Sequence, residues 1–361
     1  VKILYIAPEN VVGNLNTWKV IHESRGNECR FITFFPSRYG FPDDICLHLP
    51  FVAPAPIFIW MRKFIYSIFG GPNQQIELEG YPPIWKPANF FIKSFFSFRD
   101  RLWRKTIEPV IEKYDFLKYD ILHLETGLGL YRDGNFVKHF KEKGGTVINT
   151  FHGVELRHRG VIPVIDKMTD LNLTSELDLL PKHPNLKYLH LAFDIDQYKP
   201  DYSILQPITI CHTTRNRYFK GSDKIIDVCR KLEKSYDVRF LLAENVQHSE
   251  AIDIKREANI YIDQIANIAP GYGMNSIEAM AMGSACLTLM DEEYEQFIPD
   301  HPFVNVNPEN LELKLIQLIE NPKKITEIAK QSYEWLKSTH GLQAVGDALY
   351  AHYKDLGITE T

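Results

Sequence analysis

The sequence predicts an α/β fold built as two parallel-sheet domains, and three observations predict it. Short apolar runs alternate with helix-length amphipathic stretches from residue 1 to about 190, and the same alternation starts again at 208. Between the two halves lies FDIDQYKPDYSILQP (193–207), polar and carrying two prolines, which reads as a linker. The length, 361 residues, fits two domains at about 150 residues each.

In chain order, Val1–Ala7 is an apolar strand, Pro8–Asn14 a loop holding Gly13, Asn16–Arg25 a helix and Cys29–Phe35 a second strand, the opening of a βαβ unit. Residues 51–104 then change character, with fourteen aromatic, seven basic and three acidic residues. IFIWMRKFIYSIF (57–69) and NFFIKSFFSFRDRLW (89–103) mix bulky apolar with basic side chains, as an interfacial helix does against anionic headgroups. The other reading is a buried helical insertion. The alternation resumes with a strand at Tyr119–Leu124, a helix at Asn135–Lys143, a strand at Thr146–Phe151, and weaker runs near Leu171–Thr174 and Leu186–Leu191. The second half repeats the pattern. Strands are expected at Ile208–His212, Val238–Ala243, Ile260–Ile262 and Ala285–Met290, with helices at Ser222–Ser235, Ser276–Met282, Glu309–Glu320, Lys323–Ser338 and Leu342–Leu356. Two such halves predict Rossmann-like domains facing across a cleft.

A formal net charge of −5 argues against a general nucleic-acid binder. The five cysteines (Cys29, Cys46, Cys211, Cys229, Cys286) form no C-x-x-C pair and no disulfide framework, so a reducing cytosol is expected. No apolar run reaches the ~18 residues of a membrane span. The N-terminal apolar run is too short for a signal peptide and reads as a first strand.

Three segments carry chemistry. In PGYGMNSIEAMAMG (270–283), Gly271 and Gly273 let the backbone approach a ligand, and Asn275 or Ser276 is a candidate cap for a helix whose free N–H groups suit a phosphate. Glu278 is either the acidic member of a capping box with Asn275 or a carboxylate for two vicinal ribose hydroxyls. In HTTRNRYFKG (212–221), Arg215, Arg217 and Lys220 follow a strand and precede a helix, placed to neutralise a diphosphate or to form a solvated basic turn. In TFHGVELR (150–157), His152 stands where a strand ends.

Taken together these segments resemble glycosyltransferases of the GT-B fold, most of all family 4. YIDQIANIAPGYGMNSIEAMAMGSACLT is similar to the family's donor-binding segment, HTTRNRYFKG to its phosphate clamp ending in Lys-Gly, and TFHGVELR to its histidine loop. AFDIDQYKP is similar to the segment closing the first domain. The resemblance covers about 186–340 well, the first domain at scattered points and the aromatic insertion not at all. It implies that Glu278 holds the donor ribose, that Arg215 and Lys220 bind the diphosphate with Arg217 as rival for the first place, and that the backbone at Gly273, Met274 and Asn275 meets donor phosphate and sugar. It implies His152 at the transferred sugar, and Gly13 close to the phosphates from the opposite domain. No metal ligand is implied. One departure stands out: eight positions before Glu278, where the family carries a sugar-binding glutamate, this chain has Pro270, and Asp263 is the candidate for the missing contact.

The resemblance further implies a retaining, metal-independent transfer from a nucleoside diphosphate sugar, with UDP and GDP not distinguished, to a hydroxyl of a glycan or glycolipid. The setting expected is cell-surface glycan or glycolipid synthesis in the cytoplasm, and the composition of about 57–103 adds the expectation of peripheral contact with the inner membrane face. The expected domains are an acceptor domain over 1–195 with its insertion at about 51–110, a linker over 196–207, a donor domain over 208–338 and a tail over 339–361 whose helix returns toward the first domain. The alternatives are a non-catalytic nucleotide-binding or partner module and a sugar-nucleotide epimerase on the same fold. A dehydrogenase lacks its G-x-G-x-x-G after the first strand, a P-loop kinase its G-K-[ST], and a zinc enzyme its clustered His and Cys.

Overall fold

The computed structural model describes residues 1–38, 40–52, 55–57, 59–60, 64, 80–87, 89–268 and 270–358. Most of the helix expected over 57–69, with Arg62 and Lys63, lies outside these residues. The chain forms two compact units, Val1–His190 with Gly346–Thr361, and Leu191–Val345. The segment 196–207 lies within the second unit, and residues 346–358 pack with the first.

The first unit holds a parallel sheet of seven strands in the order β3-β2-β1-β4-β5-β6-β7. They are β1 Lys2–Ala7, β2 Glu28–Thr33, β3 Ile45–Cys46, β4 Ile121–Glu125, β5 Thr146–Phe151, β6 Leu171–Thr174 and β7 Leu186–Tyr188. The chain builds outward from β1 to β3 and then returns to the other side of β1 with β4, so the strand order reverses between β1 and β4. The second unit holds β8 Ile208–Thr214, β9 Val238–Glu244, β10 Ile260–Ile262, β11 Ala285–Thr288 and β12 Val304–Asn305 in the order β12-β11-β10-β8-β9, all parallel, reversing between β8 and β10. Every residue of β8 and β11 is buried, as expected of a parallel sheet covered on both faces. At such reversals the carboxyl ends of adjacent strands leave room for a ligand.

The insertion contains one long helix, Phe90–Tyr114, capped by Asn89, whose side chain accepts from the Ile92 N–H at 2.9 Å. Burial changes along its length. Trp103, Ile107 and Ile111 are buried in the core of the first unit, with the Trp103 Nε1–H donating to the Pro50 carbonyl at 2.7 Å. Phe90, Phe91 and Phe98 are exposed by 76%, 81% and 58%. No described helix is long and apolar enough to cross a membrane.

Tyr350 and Tyr353, in the helix Leu342–Asp355, close a buried aromatic cluster of the first unit. The His22 ring bridges the Tyr5 and Tyr350 hydroxyls at 2.9 and 2.8 Å, and His123 meets the Tyr353 hydroxyl at 2.6 Å.

Candidate functional site

At the carboxyl end of β8 the chain passes through Arg215 and Asn216 into a single helical turn, Arg217–Lys220. The Asn216 side chain caps that turn by accepting from the Tyr218 N–H at 3.0 Å. Gly221 then reverses the chain at φ 70°, where a Cβ would come within 2.8 Å of the Ile265 side chain. This turn aims Lys220 at Asp263, just past β10, and the two form an ion pair. The second Asp263 oxygen accepts from the Ser276 hydroxyl at 2.5 Å. Burial raises the Asp263 pKa, but the Lys220 ammonium and the Ser276 hydroxyl outweigh it, so the carboxyl stays below its ordinary value.

Ser276 belongs to the helix Met274–Ala281, which follows the glycine loop. Two expectations are corrected here. The helix begins at Met274, and its cap position is Gly273, extended at φ −149°, with no side-chain cap; Asn275 and Ser276 lie inside the helix and turn their side chains elsewhere. The capping-box role of Glu278 therefore falls away. Its buried carboxylate instead receives the Lys255 ammonium at 2.5 Å on one oxygen and the His248 ring at 2.7 Å on the other. Burial raises the Glu278 pKa, and the His248 hydrogen bond with the Lys255 charge brings it below the usual value. Lys255 is fully buried and also donates to Asn275 Oδ1 at 2.7 Å. Asn275 in turn accepts from the Thr213 hydroxyl at 3.4 Å, at the end of β8. Two polar clusters thus meet the helix Met274–Ala281 beside the β8–β10 reversal: Lys220 and Asp263 at Ser276, and Lys255 at Asn275 and Glu278.

Gly271 sits at φ 103° against Tyr294, where a Cβ would lie 2.5 Å from the ring. Its carbonyl accepts from Thr288 and Gln264 at 2.7 and 3.1 Å, which fixes the glycine loop. Arg215 and Arg217 are both exposed. Arg217 is held bidentately by Glu244 at 2.6 Å and also meets Asp223 at 3.0 Å, away from the Asp263 network.

In the first unit His152, just past β5, pairs with Glu125 at the end of β4, next to the reversal of strand order. Its backbone N–H donates to Glu155 at 2.8 Å. Burial pulls the His152 pKa down, but the Glu125 carboxylate, with Glu155 and Glu176 behind it, carries it up to about 9. Three buried polar atoms nearby, Glu125 Oε1, Thr126 Oγ1 and Asn149 Oδ1, have no partner among the described residues, and Thr126 is left-handed at φ 71°. Gly13, also left-handed, starts the helix Asn14–Glu23, and a Cβ there would strike Phe41 at 2.9 Å.

Sequence reasoning missed Lys255, His248 and Glu125. The helix His248–Arg256 that carries the first two shows few apolar residues, and nothing local ties Lys255 to Glu278, 23 positions away. Glu125 carried a usable signal: it is the last residue of a strand in the sheet whose next strand leads to His152.

No protein-family model and no curated protein sequence matches the chain. Solved structures do. That of Anabaena HepE in complex with UDP and glucose matches over 98% of this chain and 99% of that one, at a TM-score of 0.55 and 12% identity. TarM matches over 97% and 98%, at 0.59 and 10%, and the GtfA/B complex over 99% and 99%, at 0.57 and 11%. At these identities the similarity speaks for architecture, and with two parallel sheets in two units this chain has the GT-B fold.

Proposed function

We propose that this chain is a glycosyltransferase that moves a sugar from a nucleoside diphosphate to an acceptor hydroxyl. The observation that carries the reading is that Lys220 and Glu278 are each locked by a buried partner, Asp263 and Lys255, at one sheet reversal, beside an uncapped helix start. The GT-B fold supports it. Glu278 would accept from the donor ribose, and Lys220 with Arg215 would meet the diphosphate. The backbone at Gly271, Gly273, Met274 and Asn275 would lie along phosphate and sugar. Arg217, held by Glu244 and Asp223, remains the rival of Arg215. Asp263, buried and bonded by Lys220 on one oxygen and Ser276 on the other, would position Lys220.

In the proposed reaction the bond from the anomeric carbon to the phosphate oxygen breaks, and negative charge grows on the leaving diphosphate. Lys220, Arg215 and the free N–H groups of the helix start oppose that charge without a metal; one such preorganised donor is worth roughly 3 kcal/mol. The leaving phosphate takes the acceptor proton and the new bond forms on the same face, with retention. The His152 imidazolium would hold a hydroxyl of the transferred sugar. Exposed Phe90, Phe91 and Phe98 beside Lys93 and Arg101 favour a glycolipid or membrane-borne glycan as acceptor, reached at the cytoplasmic face.

A uridine nucleotide is the first donor to test, since HepE has been solved with UDP-glucose. A thermal-shift series with UDP, GDP, ADP and their sugars should raise the melting temperature for one base. No shift with any of them would overturn the reading. Anomeric NMR of the product then tests retention. Pro270 favours a second reading, nucleotide binding without transfer; binding with no donor consumption across acceptors would establish that one instead.

A further inference from the structure

Arg132, in the loop that follows β4, is an anomaly. Its Nε and Nη1 are shut off from solvent and have no hydrogen-bond partner among the described residues. The guanidinium instead lies over the rings of Trp85 and Phe96, at 4.4 and 4.5 Å from their centres. Trp85 is fixed there by the backbone: its N–H donates to the Val161 carbonyl at 2.9 Å, and Gly160 has no room for a Cβ, which would lie 2.4 Å from the Trp85 nitrogen. Burial, with Arg99 and Arg159 nearby, lowers the Arg132 pKa to about 9. A buried cation short of acceptors is costly unless something brings them.

Beside it opens a cavity of about 510 Å³ whose wall carries Lys93, Arg101, Arg104 and Arg132 against two carboxylates, Asp100 and Asp133. Those carboxylates are committed. Asp100 takes Arg99 at 2.9 Å and the Arg132 backbone N–H at 3.1 Å, and Asp133 takes Arg104 at 2.7 Å. Lys93 and Arg101 form no ion pair among the described residues. The wall therefore has an excess of two positive charges. A phosphate monoester brings a charge of about −1.5 to −2 and three acceptor oxygens; a carboxylate brings −1 and two.

We propose that this cavity is a phosphoryl site, with Arg132 as its inner anchor through Nη2, the guanidinium nitrogen not shut off from solvent, Lys93 and Arg101 as its outer cations and Trp85 as a wall for the group that carries the phosphate. The phosphate ester would belong to a soluble sugar phosphate or to a phospholipid headgroup. Assigning it to the acceptor rests on the sugar-transfer reading; the site itself does not.

The full chain is titrated calorimetrically with inorganic phosphate, glycerol phosphate and glucuronate. It is also sedimented with phosphatidylcholine vesicles with and without phosphatidic acid, and UDP binding is followed in the same samples. Glycerol phosphate should bind saturably and more tightly than glucuronate. Arg132→Met should weaken it about tenfold, the loss of one charge-assisted hydrogen bond. The pair Lys93→Ala and Arg101→Ala, both on exposed side chains, should weaken it several-fold even if the Arg132 variant does not fold. Vesicle binding competed by glycerol phosphate identifies a headgroup, and glycerol phosphate binding without vesicle preference identifies a soluble ester. Absent phosphate binding, equal glucuronate binding, or affinity unchanged in the double variant would overturn the site. Phosphate binding in a chain that binds none of UDP, GDP, ADP and their sugars would overturn sugar transfer and leave this site standing.

Discussion

His152 is a cation at neutral pH because of Glu125. Its pKa in the folded chain, about 9, lies above the unfolded value near 6.5, so the stability it contributes is complete below about 6.5 and is lost as pH rises through 9. In Glu125→Gln, burial acts with less opposition, and the imidazole should titrate markedly lower, toward 6.5. NMR titration reads this directly, and an unmoved pKa would dismiss the pair. Lys220 makes a sharper case. Lys220→Ala leaves the Asp263 carboxylate buried and unpaired and should cost about 3–5 kcal/mol. Adding Asp263→Asn should restore most of that stability in urea denaturation while nucleotide affinity stays lost. If affinity returns with stability, Lys220 is structural only. At this scale the sequence announced Lys220, Glu278 and His152 through their places after strands and glycines. It was silent on Lys255, because a buried ion pair between distant segments leaves no local pattern.

The helix Phe90–Tyr114 shows where element-scale reading stops. The composition of 51–104 marked it as unusual, yet the exposed Phe90 and the buried Trp103 lie in the same aromatic and basic stretch, so burial could not be read from type. Contacts decide it: Trp103 packs against Phe34 at 5.4 Å between ring centres, and Phe90 and Phe91 meet mainly solvent. Trp103→Ala should destabilise the chain by about 3–5 kcal/mol. Phe90→Ser with Phe91→Ser should leave stability within about 0.5 kcal/mol and reduce sedimentation with anionic vesicles. Equal sedimentation of that variant and the wild type would remove the membrane role. The glycine loop carries a similar lesson. Its two glycines located a helix start, but the start fell at Met274 because Asn275 and Ser276 are drawn to Lys255 and Asp263.

For the molecule as a whole, the repeated strand–helix alternation made the two-sheet plan readable, while β3 and β12, two residues each, were too short to leave a signal. The buried histidines were not readable either, since their environment is assembled from distant segments. Burial lowers the pKa of His22 to about 3 and of His212 to about 4, and it lowers that of His123 as well. Below about pH 6.5 the unfolded chain binds protons that these rings refuse. These three rings should therefore leave stability unchanged above that pH and lower it as pH drops toward 4, by as much as about 1.4 kcal/mol per unit for each histidine. Urea midpoints measured between about pH 7.5 and 5 test this, and a flat profile would contradict it.

Tyr350 and Tyr353 bring one more consequence, in the order of synthesis. They complete the ring cluster around His22 and His123, yet the whole of Leu191–Val345 must leave the ribosome before they do. At about 5–20 residues per second that wait is roughly eight to thirty seconds. Through it the nascent first unit presents an open aromatic seam until translation delivers the closing tyrosines.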